Sequence, residues 1–342
     1  MYDFDKIIDR RGTSCIKYDF QVERRGRDDL LPLWVADMDF ALPEDILEDI
    51  EDRISHGIFG YTDPKKDYFD SVIDWFYTHF GWKGRAEWIT VTPGVVVAIS
   101  VAVRALTKEG DGVLIQQPVY YPFSEAVVTN NRRLVNNQLV YKDGKYSVDF
   151  EDFEKKIVDE NVKLFILCSP HNPVGRVWTL EELKKMGEIC LKHNVIVVSD
   201  EIHCDFTYEG HKQIMFPSIS KDFEDNVVLC TAPSKTFNIA GLQVSNIFIP
   251  NEKIRRTFKA ELEAFGYSQP NVVGLTACQS VYSKGNEWYE ELKKYLAENL
   301  DFLKSFLKEN LPKIKLVEPE GTYLVWLDCS GLGLDVKELE SF

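Results

Sequence analysis

Through its middle, the chain alternates short, almost purely apolar runs with longer stretches in which apolar residues recur every three or four positions. The runs VLIQ (113–116), KLFILC (163–168), VIVVS (195–199), VVLC (227–230) and VSNIFI (244–249) show little polar alternation, as expected of strands covered on both faces. Between two of them, TLEELKKMGEICLKHN (179–194) sets Leu183, Met186 and Cys190 at helical spacing, and Thr179 with Glu182 forms a capping-box pattern. Strands alternating with helices predict an α/β fold with a mostly parallel sheet flanked by helices. The run VVVAISVAV (95–103) is ambiguous: its β-branched residues favour a strand, whereas TPG before it and RALTKEGD after it suit a helix. We lean towards a helix.

Towards the C-terminus the pattern changes. NEWYEELKKYLAENLDFLKSFLKEN (286–310) reads as a charged helix with an apolar stripe, and IKLVEPEGTYLVWLDC (314–329) as strand, turn and strand. The expected division is a large domain over 50–280, with 1–49 and 281–342 contributing to a smaller α+β domain. A chain of 342 residues, 44% hydrophobic, has enough apolar surface for two cores.

Composition removes several function classes. The formal charge is −15 and no basic run interrupts it, so the chain has no electrostatic footprint for nucleic acid or anionic membranes. Its longest apolar stretch, 95–103, is too short to cross a bilayer, and MYDFDKIIDRRG at the start lacks an apolar signal core. Seven scattered cysteines without CxxC spacing and six histidines without HxxxH or HExxH predict reduced thiols and no metal site. The expectation is a soluble, cytoplasmic protein.

The residues just after the strands narrow the chemistry. Ligands of open parallel sheets gather at the carboxyl ends of strands, where this chain carries QPVYYPF, SPHNPVG, DEIH and TAPSK. One edge thus receives tyrosines, an asparagine, an aspartate and a lysine. Each alone is ordinary: Asn-Pro is a common turn, and most lysines are solvated. Lys235, in TAPSKTFNIAGLQ (231–243), has no acidic neighbour in sequence. In combination the parts meet the needs of pyridoxal phosphate, which takes a lysine, an acid at its ring nitrogen, a stacking group and an anion cradle.

SPHNPVG, SDEIHCDF and APSKTFNIAGL together resemble the fold-type I pyridoxal-phosphate enzymes, the aspartate aminotransferase superfamily. LPLWVADMDF (31–40) and IFGYTDP (58–64) look like its MalY/PatB branch, the cystathionine β-lyase-like C–S lyases. The resemblance spans the chain, with the motifs in order. It implies that Lys235 carries the cofactor as a Schiff base, Asp200 meets the pyridine nitrogen and Asn172 the phenolic oxygen. Tyr120, in preference to Tyr121, would stack on the ring. Gly94, Val95 and Val96 would offer backbone amides, and Ser234 a hydroxyl, to the phosphate, which favours the helical reading of 95–103. Tyr61 matches a tyrosine that reaches the phosphate of a neighbouring subunit, implying a homodimer. His203 stands where aminotransferases carry a tyrosine near the cofactor oxygen; direct contact and a place one layer further out are both open for it.

Two departures bear on activity. Aminotransferases of the superfamily carry an arginine eight residues after the lysine, paired with the phosphate; here Gln243, which cannot form a charge-assisted pair, tilts the reading towards elimination. Relatives also continue past GTYLVWLD to a strand whose arginine clamps the substrate carboxylate. This chain stops at VKELESF, so the C-terminal domain is expected to be truncated, and Arg176 reads as structural. The implied function is β-elimination of sulfur-containing L-amino acids, cystathionine or cysteine, to thiol, pyruvate and ammonia, with Lys235 as general base. The alternatives are an aminotransferase and, third, a non-catalytic pyridoxal-phosphate-binding regulatory protein.

Overall fold

In the computed structural model, which describes residues 2–341, the apolar runs become the centre of a seven-stranded sheet. Its first strands are β1 (Ile89–Thr92), β2 (Gly112–Ile115) and β3 (Arg133–Asn136), followed by a separate hairpin of β4 (Val140–Lys142) and β5 (Lys145–Ser147). The sheet then continues with β6 (Val162–Cys168), β7 (Ile196–Asp200), β8 (Val227–Thr231) and β9 (Ser245–Phe248). The order is β1-β9-β8-β7-β6-β2-β3, with β9 antiparallel to both neighbours and the other pairs parallel. Successive side chains of a strand point to opposite faces. Accordingly Leu164, Ile166 and Cys168 of β6 join one apolar cluster, while Phe165 and Leu167 join another. Both faces are covered, which explains the missing polar alternation. The edge strands β1 (ITVT) and β3 (RLVN) escape a sequence reading because polar residues break up their apolar runs.

The ambiguous run forms the helix Val95–Leu106. It lies between the sheet and the helices Pro122–Val128 and Glu252–Ala264, whose Phe123, Phe258 and Leu262 share its cluster. Packing on both sides outweighs the modest helix propensity of its valines. The helix Leu180–Lys192 starts with the expected capping box: the Glu182 amide donates to Thr179 Oγ1 (3.2 Å) and the Thr179 amide to Glu182 Oε2 (2.8 Å).

The helix Asn286–Asn310 leads into the antiparallel pair β10 (Lys315–Val317) and β11 (Trp326–Asp328). Residues near the N-terminus pack onto that helix. The Phe4 ring sits 5.7 Å from Trp288 and 5.4 Å from Tyr295, and the Tyr2 amide donates to Glu291. Among the described residues no helix is long and apolar enough to cross a membrane, no group of three His, Cys, Asp or Glu could hold a metal, and the cysteines are free.

Candidate active site

Because β8, β7, β6 and β2 are adjacent and parallel, their carboxyl ends share one edge. Asp200 ends β7, in register with Cys168 of β6 and Cys230 of β8. Its carboxyl is buried between apolar strands and accepts the Ile202 amide at 3.1 Å. Burial pushes it up to about 7, against the opposing pull of that hydrogen bond and the Lys235 charge. Lys235 follows β8, and its Nζ donates to the Ala36 carbonyl at 2.8 Å. Burial holds the amine below its ordinary pKa, with Asp37 and then Asp200 pulling the other way. The acidic partners missing from its sequence neighbourhood therefore come from remote segments.

The turn carrying Lys235 is anchored on both sides. Thr236 donates its hydroxyl to the buried Asp205 carboxylate, which also accepts Trp75 Nε1 at 3.0 Å, while the Asp205 carbonyl takes the Tyr289 hydroxyl at 2.5 Å. Asn238 has φ of 55°, a left-handed geometry asparagine tolerates. Its side chain accepts from the Met38 amide (2.9 Å) and donates to the Met38 carbonyl (2.7 Å).

Around this pair stand further groups from the expected set. The Tyr120 amide donates to the Asn172 carbonyl at 3.0 Å, joining the loops after β2 and β6. The Tyr120 hydroxyl is pushed up to about 12, by burial first and then by the Asp200 charge. Tyr121 is 69% exposed, so Tyr120 is the ring turned inward. The Asn172 amide donates to Cys168 Sγ at 3.3 Å. His203 is buried, and burial together with the Lys235 charge lowers it to about 3, so the ring is neutral. Its Nδ1 is buried without a hydrogen-bond partner, and its ring meets Tyr323 edge-on at 5.7 Å.

Beyond β1, Gly94 begins the helix Val95–Leu106 with no side-chain cap. The first-turn amides there are free of side-chain acceptors, and a Cβ added to Gly94 would meet nothing within 4 Å. Ser234 is half-buried beside Lys235. Tyr61, in contrast, is 95% exposed. Gln243 is exposed, with φ of 52°. Arg176 is fully engaged: Nε donates to Glu320 (2.8 Å), Nη2 to Glu182 (2.9 Å) and Nη1 to the Tyr146 carbonyl, and the guanidinium lies over Trp178.

Sequence reasoning missed four groups. Two of them meet at Lys235: Tyr323 donates to the same Ala36 carbonyl as the lysine, at 3.0 Å. A third, Glu201, is wholly buried, accepting from Ser199 Oγ, the Phe216 amide and Gln213 Nε2, each at 2.9 Å. The fourth is Asp205. The signal for Glu201 and Asp205 was the density of acids in SDEIHCDF at the end of an apolar strand. For Ala36 and Tyr323 there was none.

A half-buried amine coupled to a buried carboxylate, an orphaned histidine nitrogen and an uncapped helix start with open space form a donor set that fits pyridoxal phosphate. The family described as aminotransferase class I and II matches residues 28–341. The chain is 50% identical over 338 residues to cystathionine β-lyase PatB of Bacillus subtilis (strain 168), covering 99% of this chain and 87% of that one. With protein MalY of Escherichia coli (strain K12) it shares 34% over 342 residues, covering 99% and 87%. The crystal structure of cystalysin from Treponema denticola, which contains a pyridoxal 5′-phosphate cofactor, superposes with a TM-score of 0.96 at 39% identity, covering 100% of this chain and 87% of that one.

Proposed function

The chain belongs to the aminotransferase class I and II family, and we propose on that premise that it is a pyridoxal-phosphate-dependent carbon–sulfur lyase acting on L-cystathionine or L-cysteine. The observation that carries this reading is the largely desolvated Lys235 amine, depressed in pKa and opposed by the buried Asp200. Elimination, as opposed to transamination, is supported by the 50% identity to a cystathionine β-lyase.

Lys235 would hold the cofactor and Asp200 would face its ring nitrogen. Tyr120 would cover the ring, and Asn172 and His203 would meet its polar edge. The amides of Gly94, Val95 and Val96 with the Ser234 hydroxyl would take the phosphate. When bound, pyridoxal phosphate supplies an electron sink for the pair released from the substrate's Cα. An amine that burial inclines towards its neutral form can accept the Cα proton, which an ammonium cannot. Whenever the amine is free, the Ala36 carbonyl gives it a fixed acceptor that orients it. Asp200 meets a cationic ring nitrogen best as a carboxylate. Removing water from the pair strengthens their attraction and would draw its proton affinity back down.

The exposed Tyr61 supports a homodimer in which this tyrosine completes the partner's phosphate site. The deciding experiment incubates the purified, cofactor-loaded chain with L-cystathionine and no keto acid. Pyruvate and homocysteine released in equal amounts are expected. Turnover that appears only when a keto acid is added would instead make the chain an aminotransferase.

A further inference from the structure

The segment 36–39 is held between two parts of the chain. On the inner side, its Ala36 carbonyl accepts Lys235 Nζ at 2.8 Å and the Tyr323 hydroxyl at 3.0 Å, and Asn238 takes both main-chain groups of Met38. On the outer side, Arg10 donates to both carboxylate oxygens of Asp37 (3.0 and 2.8 Å), to Asp39 Oδ1 (2.8 Å) and to the Met38 carbonyl (3.1 Å). Lys17, 6% exposed at its side chain, donates to Asp39 Oδ2 (2.8 Å) and the Asp37 carbonyl (3.2 Å), and Tyr18 adds its hydroxyl to Asp39 at 3.0 Å.

Residues 10–18 thus hold both carboxylates of 37–39 and the carbonyls between them. A fork-to-fork arginine–carboxylate pair fixes orientation as well as charge. The Arg10 and Asp37 side chains are only 24% and 21% exposed, so solvent screens the pair incompletely. Asp37 is also the charge that acts most strongly on Lys235, ahead of Asp200.

We propose that Arg10 is a positioning residue for Lys235: it pins the segment that presents the Ala36 carbonyl to the amine, and it offsets the Asp37 charge that acts on that amine. The groups facing Lys235 are Asp37 from this segment, Asp200 and His203 from the end of β7, and Tyr323, with Tyr120 next to Asp200. Asp200 and Asp37 favour the ammonium, whereas burial opposes it. His203 is neutral and Tyr323 is held protonated by burial, so neither supplies a charge to replace Arg10. Loss of Arg10 leaves Asp37 with Lys17 alone, 3.5 Å from its Oδ1 and committed more closely to Asp39 at 2.8 Å. The consequence for turnover rests on the lyase reading; the effect on the amine does not.

The test reads the amine directly. The full chain without added cofactor is acetylated competitively with isotopically labelled acetic anhydride across pH 6–11, and the Lys235 midpoint is obtained by mass spectrometry. Arg10→Met is expected to raise that midpoint by about one unit, Arg10→Lys to leave it near wild type, and Asp37→Asn to lower it by about half a unit. A folded Arg10→Met protein with an unchanged midpoint overturns the proposal. If Arg10→Met does not fold, Asp37→Asn decides alone: a lowered midpoint supports the proposal, and an unchanged or raised one overturns it. Separately, failure of the wild-type chain to gain a visible chromophore with pyridoxal phosphate would refute the lyase reading and leave the midpoint result standing.

Discussion

Lys235 Nζ and the main-chain carbonyl of Ala36 lie 2.8 Å apart, although 199 positions separate them in the chain. A lysine with no acid in its own neighbourhood is therefore neither solvated nor orphaned. It is desolvated enough to lose affinity for its proton, and it retains one neutral acceptor that does not restore that affinity as a salt bridge would. A group in this state is better suited than a solvated lysine to act as both nucleophile and base.

Replacing Lys235 by alanine removes that group while leaving the neighbouring anchors of Thr236 and Asn238 in place. Pyruvate release from cystathionine is expected to fall by at least about 1,000-fold, and the visible absorption of the loaded protein to disappear. Circular dichroism should remain that of the wild type. Retained turnover would sink the assignment.

Asp200 makes stability depend on pH. Its carboxyl titrates at about 7 in the folded chain against an ordinary 3.8, so between these values the folded state holds a proton that the unfolded state releases. The stabilisation from this group is complete below the ordinary value and is lost as pH rises through the folded one. Asp200→Asn abolishes the effect. Urea denaturation without added cofactor should show the variant gaining on wild type by about 2 kcal/mol between pH 5 and pH 7. A gap independent of pH would show that the carboxyl is not held protonated.

Asp205 accepts from both Trp75 and Thr236, joining the helix Lys66–Phe80 to the turn that carries Lys235. Asp205→Ala leaves two buried donors without partners and should cost about 3 kcal/mol, and Thr236→Val about 1–2 kcal/mol. Because one bond is common to both, the double variant should be less destabilised than the sum. Chemical denaturation of the four proteins measures the coupling, and strict additivity would contradict the shared bond.

Tyr61 gives a test of subunit exchange. If it completes the site of a partner, mixing Lys235→Ala with Tyr61→Ala protein creates mixed dimers with one intact site each. Refolding an equimolar mixture should recover about a quarter of wild-type activity from two nearly inactive parents. No recovery would place the tyrosine's role within its own chain or nowhere in the site.

The sheet centre was legible because β2, β6, β7 and β8 are apolar on both faces, and because residues at the ends of parallel strands share an edge. Asn172, Asp200, Lys235 and the pair Tyr120 and Tyr121 could be picked from four separate stretches on that ground, whereas the preference for Tyr120 came with the family resemblance. The run 95–103 was harder to read, since propensity and flanking residues disagreed and packing on both sides decided it. Arg176 was legible as structural, but not the Glu320 and Glu182 carboxylates that hold it.

By itself, the sequence determined the order of strands and helices and the set of chemical groups at the sheet edge, since periodicity and strand-end residues are local properties. Only the tertiary structure decided what each group meets. A backbone carbonyl such as that of Ala36 has no letter of its own, and the Arg10–Asp37 pair is one of many possible pairings among 40 basic and 55 acidic residues. The proton affinities of Lys235, Asp200 and His203 depend on how much water the fold removes around them. That quantity exists only once distant segments have closed over the site.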